Sequence, residues 1–259
     1  MNQKLKEILD EAVERYNQPN FIKDDPISIP HQFTKKQDIE IMGFWISMIA
    51  FGRRNMIIKN GNRLIELMDG APHDFILNHQ EKDRKPFLEF KHRTFQPIDA
   101  LYFLEFFQQY YQKNESLVHA FSDYLKEDSE DIEEALIGFH NQFFDSELAP
   151  DRTRKHVPTP KRKSGCKRIN MFLRWMVRND KKGVDFGIWS DKISPSQLLI
   201  PLDVHVDRVA RSFGLLERKQ TDWKSVKELT NNLKQLDPTD PVKYDFALFG
   251  LGIDSKNIL

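Results

Sequence analysis

In the stretch PLDVHVDRVARSFGLL, residues 201–216, the apolar residues Val206, Val209, Ala210 and Phe213 recur at three- and four-residue steps. That is the period of one face of an α-helix. Asp203 stands where such a helix would begin, and aspartate is among the best N-caps because its carboxylate accepts the unpaired N–H groups of the first turn. Gly214 suits the left-handed position beyond the helix end. The spacing predicts a helix over 203–213. The same N–H groups and the positive end of the helix dipole favour the ionised carboxylate, so Asp203 is also a candidate for stabilising positive charge in a reaction.

The same period runs through most of the chain. Leu5, Ile8, Leu9, Ala12 and Val13 mark a first helix, and 36–50 is apolar enough to be a buried one, ended by Gly52. Residues 55–68 form the next, stopped by Asp69-Gly70-Ala71-Pro72. Aromatic-rich helices are predicted over 97–112, 115–126 and 130–144, and loops over 149–164 (Pro150, Pro158, Pro160) and 180–200. Between those loops Ile169, Phe172, Leu173, Met176 and Val177 make a helix of 166–179, with Arg174 and Trp175 off its apolar stripe. Helices over 222–236 and 241–251 complete the set. No run of strand-like alternation and no internal repeat occurs, so the fold class expected is all-α.

The chain has 259 residues, 12% of them aromatic with twenty Phe, and 30% charged with the signs balanced to zero. That is material for one large domain or two small ones, and it argues against disorder. The charges are segregated: acids dominate 123–147, whereas Arg152, Arg154, Lys155, Lys161, Arg162, Lys163, Lys167 and Arg168 share 152–168 with no acid. Such a run is either a solvated face or a grip on phosphates. The single Cys166 excludes an internal disulfide, a four-cysteine zinc site and a four-cysteine iron–sulfur cluster. The eight histidines show no metal-ligand spacing, so neither metal nor cofactor is expected. The opening MNQKLKEILDEAVERY is amphipathic rather than a signal peptide, and no apolar run reaches membrane-spanning length. A monomeric cytoplasmic protein is the expectation.

Lys167, in KSGCKRINMFLRWM, sits at a helix start after a Ser-Gly turn, close to Lys163 and Arg168. Neighbouring cations and a helix N-terminus both disfavour the ammonium form, the condition a nucleophilic amine needs. Taken singly, each residue has a plainer reading: Asp203 as a cap alone, Lys167 as a phosphate contact or surface lysine.

Together, Gly165-Cys166-Lys167-Arg168-Ile169-Asn170 and Leu202-Asp203-Val204-His205-Val206-Asp207-Arg208-Val209 resemble two segments of the helix-hairpin-helix DNA glycosylase superfamily. That superfamily contains endonuclease III, adenine DNA glycosylase and the 8-oxoguanine DNA glycosylases. The Asp-Val-His order is most similar to the 8-oxoguanine branch. YDFALFGLGI, 244–253, resembles the closing helix, and MIAFGRRNMIIKNGNRLIELM, 48–68, an early helix pair; the whole chain looks like a bacterial branch.

The resemblance implies a two-lobed helical fold with a central cleft, one lobe being 36–199 and the other 1–35 with 200–259. It implies double-stranded DNA with a damaged base, perhaps an oxidised purine, as partner. Lys167 would be the Schiff-base amine of a glycosylase with lyase activity, and Asp203 the catalytic carboxylate. Lys163, Ser164, Gly165, Arg168 and His205 would contact the DNA backbone, and Arg53, Arg54 and Asn55 the emptied stack. The competing expectations are a non-catalytic helical DNA-binding protein and a helical protein whose basic loop binds a protein partner.

Overall fold

The computed structural model describes residues 3–254, and among these no strand occurs, only an isolated bridge between His92 and Phe95. In chain order the helices are α1 Gln3–Tyr16, α2 Lys36–Met48, α3 Arg54–Leu67, α4 Pro72–Asn78, α5 Glu81–Arg84, α6 Pro97–Tyr111, α7 His119–Ser122, α8 Glu133–Phe143, α9 Lys167–Val177, α10 Val204–Ser212, α11 Trp223–Lys234 and α12 Tyr244–Asp254. The fold is all-α, as the periodicity predicts. Short 3-10 turns fill several connections, among them Pro19–Asp24, Asp151–Lys155 and Pro160–Arg162.

Two differences from the predicted elements have physical causes. The Asp-Gly-Ala-Pro stop does end α3, with Asp69 and Gly70 both at positive φ. Its proline, however, is the first residue of α4, a position where a missing N–H costs nothing. Asp38 of α2 then accepts the His73 N–H at 2.7 Å, a cap supplied from 35 residues away. The helix expected over 115–126 shrinks to the single turn α7. Just ahead of it, the Leu117 N–H donates to buried Glu40 at 2.9 Å and the Val118 N–H to Ser116 Oγ, which turns the chain out of register.

The chain divides into two compact units, one of Met1–Phe21, Lys126–Glu134 and Thr159–Leu259, the other of Ile22–Leu125 and Ala135–Pro158. The second unit is built round α2, buried from Asp38 to Met48, as expected of a helix apolar on every side. Phe44 packs against Phe103, Phe107, Phe139 and Phe143 at centroid distances of 5.3–5.9 Å. The phenylalanines between 87 and 111 are thereby core residues. Asp99 closes the capping box of α6 and also receives Arg152, His156 and Thr153. Burial raises its proton affinity, but the hydrogen bonds from His156, Thr153 and the Gln96 N–H prevail and hold the carboxyl down at about 2.

In the first unit α12 is the central element, packed on α1 and α10. Glycines permit the close approach. A Cβ on Gly252 would lie 2.8 Å from His205 Cβ and 3.1 Å from the His205 carbonyl, and one on Gly250 would strike the Tyr16 ring. Helix α10 ends as the sequence predicts: Gly214 is at φ +68°, its N–H donates to Arg211 O and the Leu215 N–H to Ala210 O, which pairs the last carbonyls. On α9 the departure is large. Trp175 is fully buried, and Arg174 and Arg178 are 4% and 2% exposed, paired with Asp180, Asp185, Asp240 and Asp245. The face predicted to leave the stripe is a second core face.

Gly252→Ala is expected to destabilise the protein by about 1–3 kcal/mol, because its methyl meets backbone and cannot be accommodated by a rotamer change. Gly165→Ala, whose Cβ would have 3.6 Å to its nearest neighbour, is expected to be close to neutral. Thermal unfolding of the two variants checks this. Equal melting temperatures would remove the close α10–α12 contact from the account.

Candidate functional site

Cys166 precedes α9 in the left-handed region at φ +49°, and Lys163 is left-handed too, at φ +59°. The expected Ser-Gly turn thus places the unusual backbone one residue later than its glycine. Ser164 Oγ accepts the Cys166 N–H at 3.2 Å, and Cys166 contributes no side-chain cap to α9. Its thiol is 1% exposed, and burial pushes it up to about 12, which disfavours the thiolate. Lys167 is the first residue of α9.

Asp203 caps α10 as the sequence predicts. Its Oδ1 accepts the His205 N–H at 2.8 Å and the Val206 N–H at 2.9 Å. Its Oδ2 is turned to Lys167 Nζ, 3.8 Å away, with the lysine side chain 36% and the aspartate 13% exposed. One carboxylate oxygen holds the helix and the other faces the amine. An amine next to a carboxylate at two helix starts can attack an electrophilic carbon while the carboxylate offsets the positive charge that builds there.

The sequence reading missed one buried carboxylate of this unit. Asp245, 6% exposed on α12, receives Arg174 Nη1. Burial raises its proton affinity, Arg174 opposes, Asp203 adds to the rise and Lys167 subtracts, leaving the carboxyl at about 6. The signal available in the sequence was Arg174 itself, an arginine in the middle of an apolar helix, which demands a buried counter-charge.

The remaining candidates divide between the two units. Lys163 is exposed, Ser164 and Gly165 are half-buried in the connection into α9, and the Gly165 carbonyl accepts Asn170 Nδ2 at 3.4 Å. Arg168 is half-buried, and burial pushes its guanidinium down to about 10. His205 Nδ1 lies 3.2 Å from the Gly252 carbonyl, and its ring meets Phe249 edge-on at 5.6 Å. Arg53, Arg54 and Asn55 lie in the other unit, exposed at the start of α3.

The basic run is no single face. Arg152 is engaged with Asp99 and the Thr94 carbonyl, and Arg154 lies 4.8 Å over the Phe144 ring. Lys161, Arg162 and Lys163, around the turn that precedes α9, are exposed. Among the described residues no cluster of three or more His, Cys, Asp or Glu is placed to hold a metal ion, and no helix is long and apolar enough to cross a membrane.

Comparison with known proteins corrects one expectation. The family model that matches, over residues 25–254, is that of a protein of unknown function, DUF2400, and no glycosylase family is found. The resemblance to the helix-hairpin-helix DNA glycosylase superfamily is therefore not supported. It rested on short segments, the two most specific of them helix starts of the kind any capped helix can present. No curated protein and no solved structure matches the chain. With 25–254 of its 259 residues matched, the chain belongs to the DUF2400 family of proteins of unknown function.

Proposed function

We propose that this protein is a DNA base-excision enzyme, an N-glycosylase with an associated lyase step on a damaged base, with Lys167 as nucleophile and Asp203 as the charge-stabilising carboxylate. The proposal rests on one observation above all, the 3.8 Å approach of Lys167 Nζ to Asp203 Oδ2 at two helix starts. Supporting it are the exposed bases Lys161, Arg162 and Lys163, which come shortly before Lys167 in the chain. Backbone phosphates are what such bases grip, in a salt-dependent way.

The chemistry follows from the two groups. A stacked base is out of reach, so the target nucleotide is extruded from the duplex. The Lys167 amine, once free of its proton, attacks C1′ of the deoxyribose, and the base departs with the electrons of its bond to C1′ and takes up a proton from solvent. Asp203 offsets the positive charge that builds on the sugar. Opening of the sugar ring gives the protonated Schiff base. Loss of a C2′ proton then expels the 3′ phosphate by elimination, and water releases the sugar from the lysine. Lys163, Ser164, Gly165, Arg168 and His205 are the positions proposed to meet the DNA backbone.

Borohydride reduction on an abasic-site duplex is expected to give a covalent protein–DNA adduct, abolished in Lys167→Gln. Salt-dependent binding with no adduct on any lesion tested would replace this reading with a non-catalytic DNA-binding protein. Asp203→Asn is expected to fold within about 0.5 kcal/mol of the parent, because asparagine caps as well, whereas Asp203→Ala should lose about 0.5–2 kcal/mol. Both should lower base excision by about 100- to 1,000-fold, the usual size of a lost electrostatic contact to a transition state. Undiminished excision in Asp203→Asn would remove the aspartate from the chemistry. Lys163→Ala should weaken binding to all sequences alike and reduce the salt slope by about 1.

A further inference from the structure

A cleft in the same unit shares no lining residue with the Lys167–Asp203 pair. The end of α1 and the segments 178–182 and 237–243 enclose about 700 Å³, within the range of about 300–1,000 Å³ usual for small-ligand sites. Six carboxylates and three cations line it. Each cation is taken. Lys243 lies between Asp10 and Asp237 at 3.4 and 2.6 Å, Arg178 between Asp180 and Asp240 at 2.7 and 2.9 Å, and Lys182 reaches Glu14 at 2.5 Å. Arg178 is shared with Asp185 as well. Glu11 pairs with no described cation, so the cleft keeps an excess of negative charge.

One lining side chain carries information beyond charge. Asn17, directly after α1, is 1% exposed; its Nδ2 donates to Asp180, which fixes the orientation of the amide, and its Oδ1 has no hydrogen-bond partner. A buried acceptor in that state has lost water without gaining a donor, so the group it suits is an N–H or O–H. The carboxylates are dispersed: among the described residues no three acidic, histidine or cysteine groups converge as a metal ion requires. Separated anions suit several ammonium groups strung on one flexible chain, and Val13 offers an apolar contact for the methylenes between them. Lys243 shows the arrangement from within, an aliphatic ammonium held by two carboxylates.

We propose that this cleft binds an aliphatic polyamine, with ammonium groups on the α1 carboxylates Glu11 and Glu14 and one N–H donated to Asn17 Oδ1. In this pose the ligand takes Glu14 from Lys182, which makes Lys182 its internal competitor. The exchange costs little, because the Lys182–Glu14 pair joins side chains 31% and 68% exposed, and ion pairs in solvent are weak. The Lys182 N–H and Asn17 Nδ2 donate to the two oxygens of Asp180, so the two residues are neighbours. The swing of the Lys182 side chain away from Glu14 is then the step that admits a donor to Oδ1. Neither DNA nor the Lys167 amine enters this inference.

Spermidine is the probe, titrated calorimetrically into the full chain at about 0.15 M NaCl, where long-range surface attraction is screened. The expected result is saturable binding of one spermidine per chain that survives an excess of Mg²⁺ of about tenfold. Glu11→Gln should weaken it about two- to fivefold, and Asn17→Ala about tenfold. Lys182→Ala should tighten it about two- to fivefold by releasing Glu14. Glu217→Gln, at an exposed acid outside the cleft, should leave it unchanged. The proposal is overturned by the absence of saturable binding, by displacement with Mg²⁺, by parent affinity in Glu11→Gln or Lys182→Ala, or by equal weakening in Glu217→Gln. Should Asn17→Ala fail to fold, Glu11→Gln and Lys182→Ala decide.

Discussion

Two arginines in the core of the first unit organise it. Arg174 on α9 and Arg178, the residue that follows its end, are 4% and 2% exposed, and neither can stay there charged without partners. Asp185 takes both, 3.2 Å from Arg174 and 3.0 Å from Arg178, Asp240 takes Arg178 at 2.9 Å, and Asp245 takes Arg174. The Phe246 ring lies against both guanidinium groups, at 4.3 and 5.4 Å. Removing one partner from a buried pair of this kind costs about 3–5 kcal/mol, since the remaining charge cannot be rehydrated. The network therefore fixes α9, the segment after it and α12 as one body. That segment also supplies N–H groups of Phe186 and Trp189 to the carbonyls of Trp175 and Met176, at 2.8 and 2.9 Å, where α9 runs out of its own donors.

The position of Asp203 depends on this arrangement at one remove. Helix α12, held by Arg174, offers Gly252 to α10, and the close contact with His205 sets where α10 begins. Arg208 reaches the same Gly252 carbonyl. A one-residue slip of α10 along α12 would move its start about 1.5 Å and pull Oδ2 away from the amine. Cap geometry then supplies the last constraint. With Oδ1 bound by two N–H groups, the carboxylate cannot rotate freely, and Oδ2 is presented in one direction.

Most of the helices were legible because their apolar residues keep a 3.6-residue period, and the ends of α10 because Asp203 and Gly214 carry local signals. What was not legible is long-range. The cap Asp38 gives to α4 and the pull of Glu40 on Leu117 join residues 35 and 77 apart, which no local pattern records. Arg174 looked like a polar residue off an apolar stripe because its counter-charge lies 71 residues later, in Asp245. Of the candidate site, the Lys167–Asp203 pair could be named from its two helix starts, whereas the buried Asp245 could not. The superfamily resemblance failed for a related reason: a lysine and an aspartate at helix starts describe two local conformations, and family membership is a property of 25–254 as a whole.

The basic run from 152 to 168 shows how a charge pattern divides once the chain is folded. Its first part is structural. Arg152 helps neutralise Asp99, whose carboxylate is fully buried and would otherwise be stranded at the start of α6. Arg154 lies flat on Phe144, where a guanidinium gains from the ring face and covers apolar surface. Arg168 at the far end is partly withdrawn from solvent as well. The exposed bases Lys161, Arg162 and Lys163 are a different case, because a short 3-10 turn ending in left-handed Lys163 carries three successive cations directly before α9. Backbone strain of about 1 kcal/mol or more at a non-glycine left-handed residue persists only where surroundings enforce it, and Cys166 repeats it three residues on. The chain is thus folded sharply twice between its exposed cations and Lys167, which keeps the cations and the amine on adjacent turns rather than spread along an extended loop.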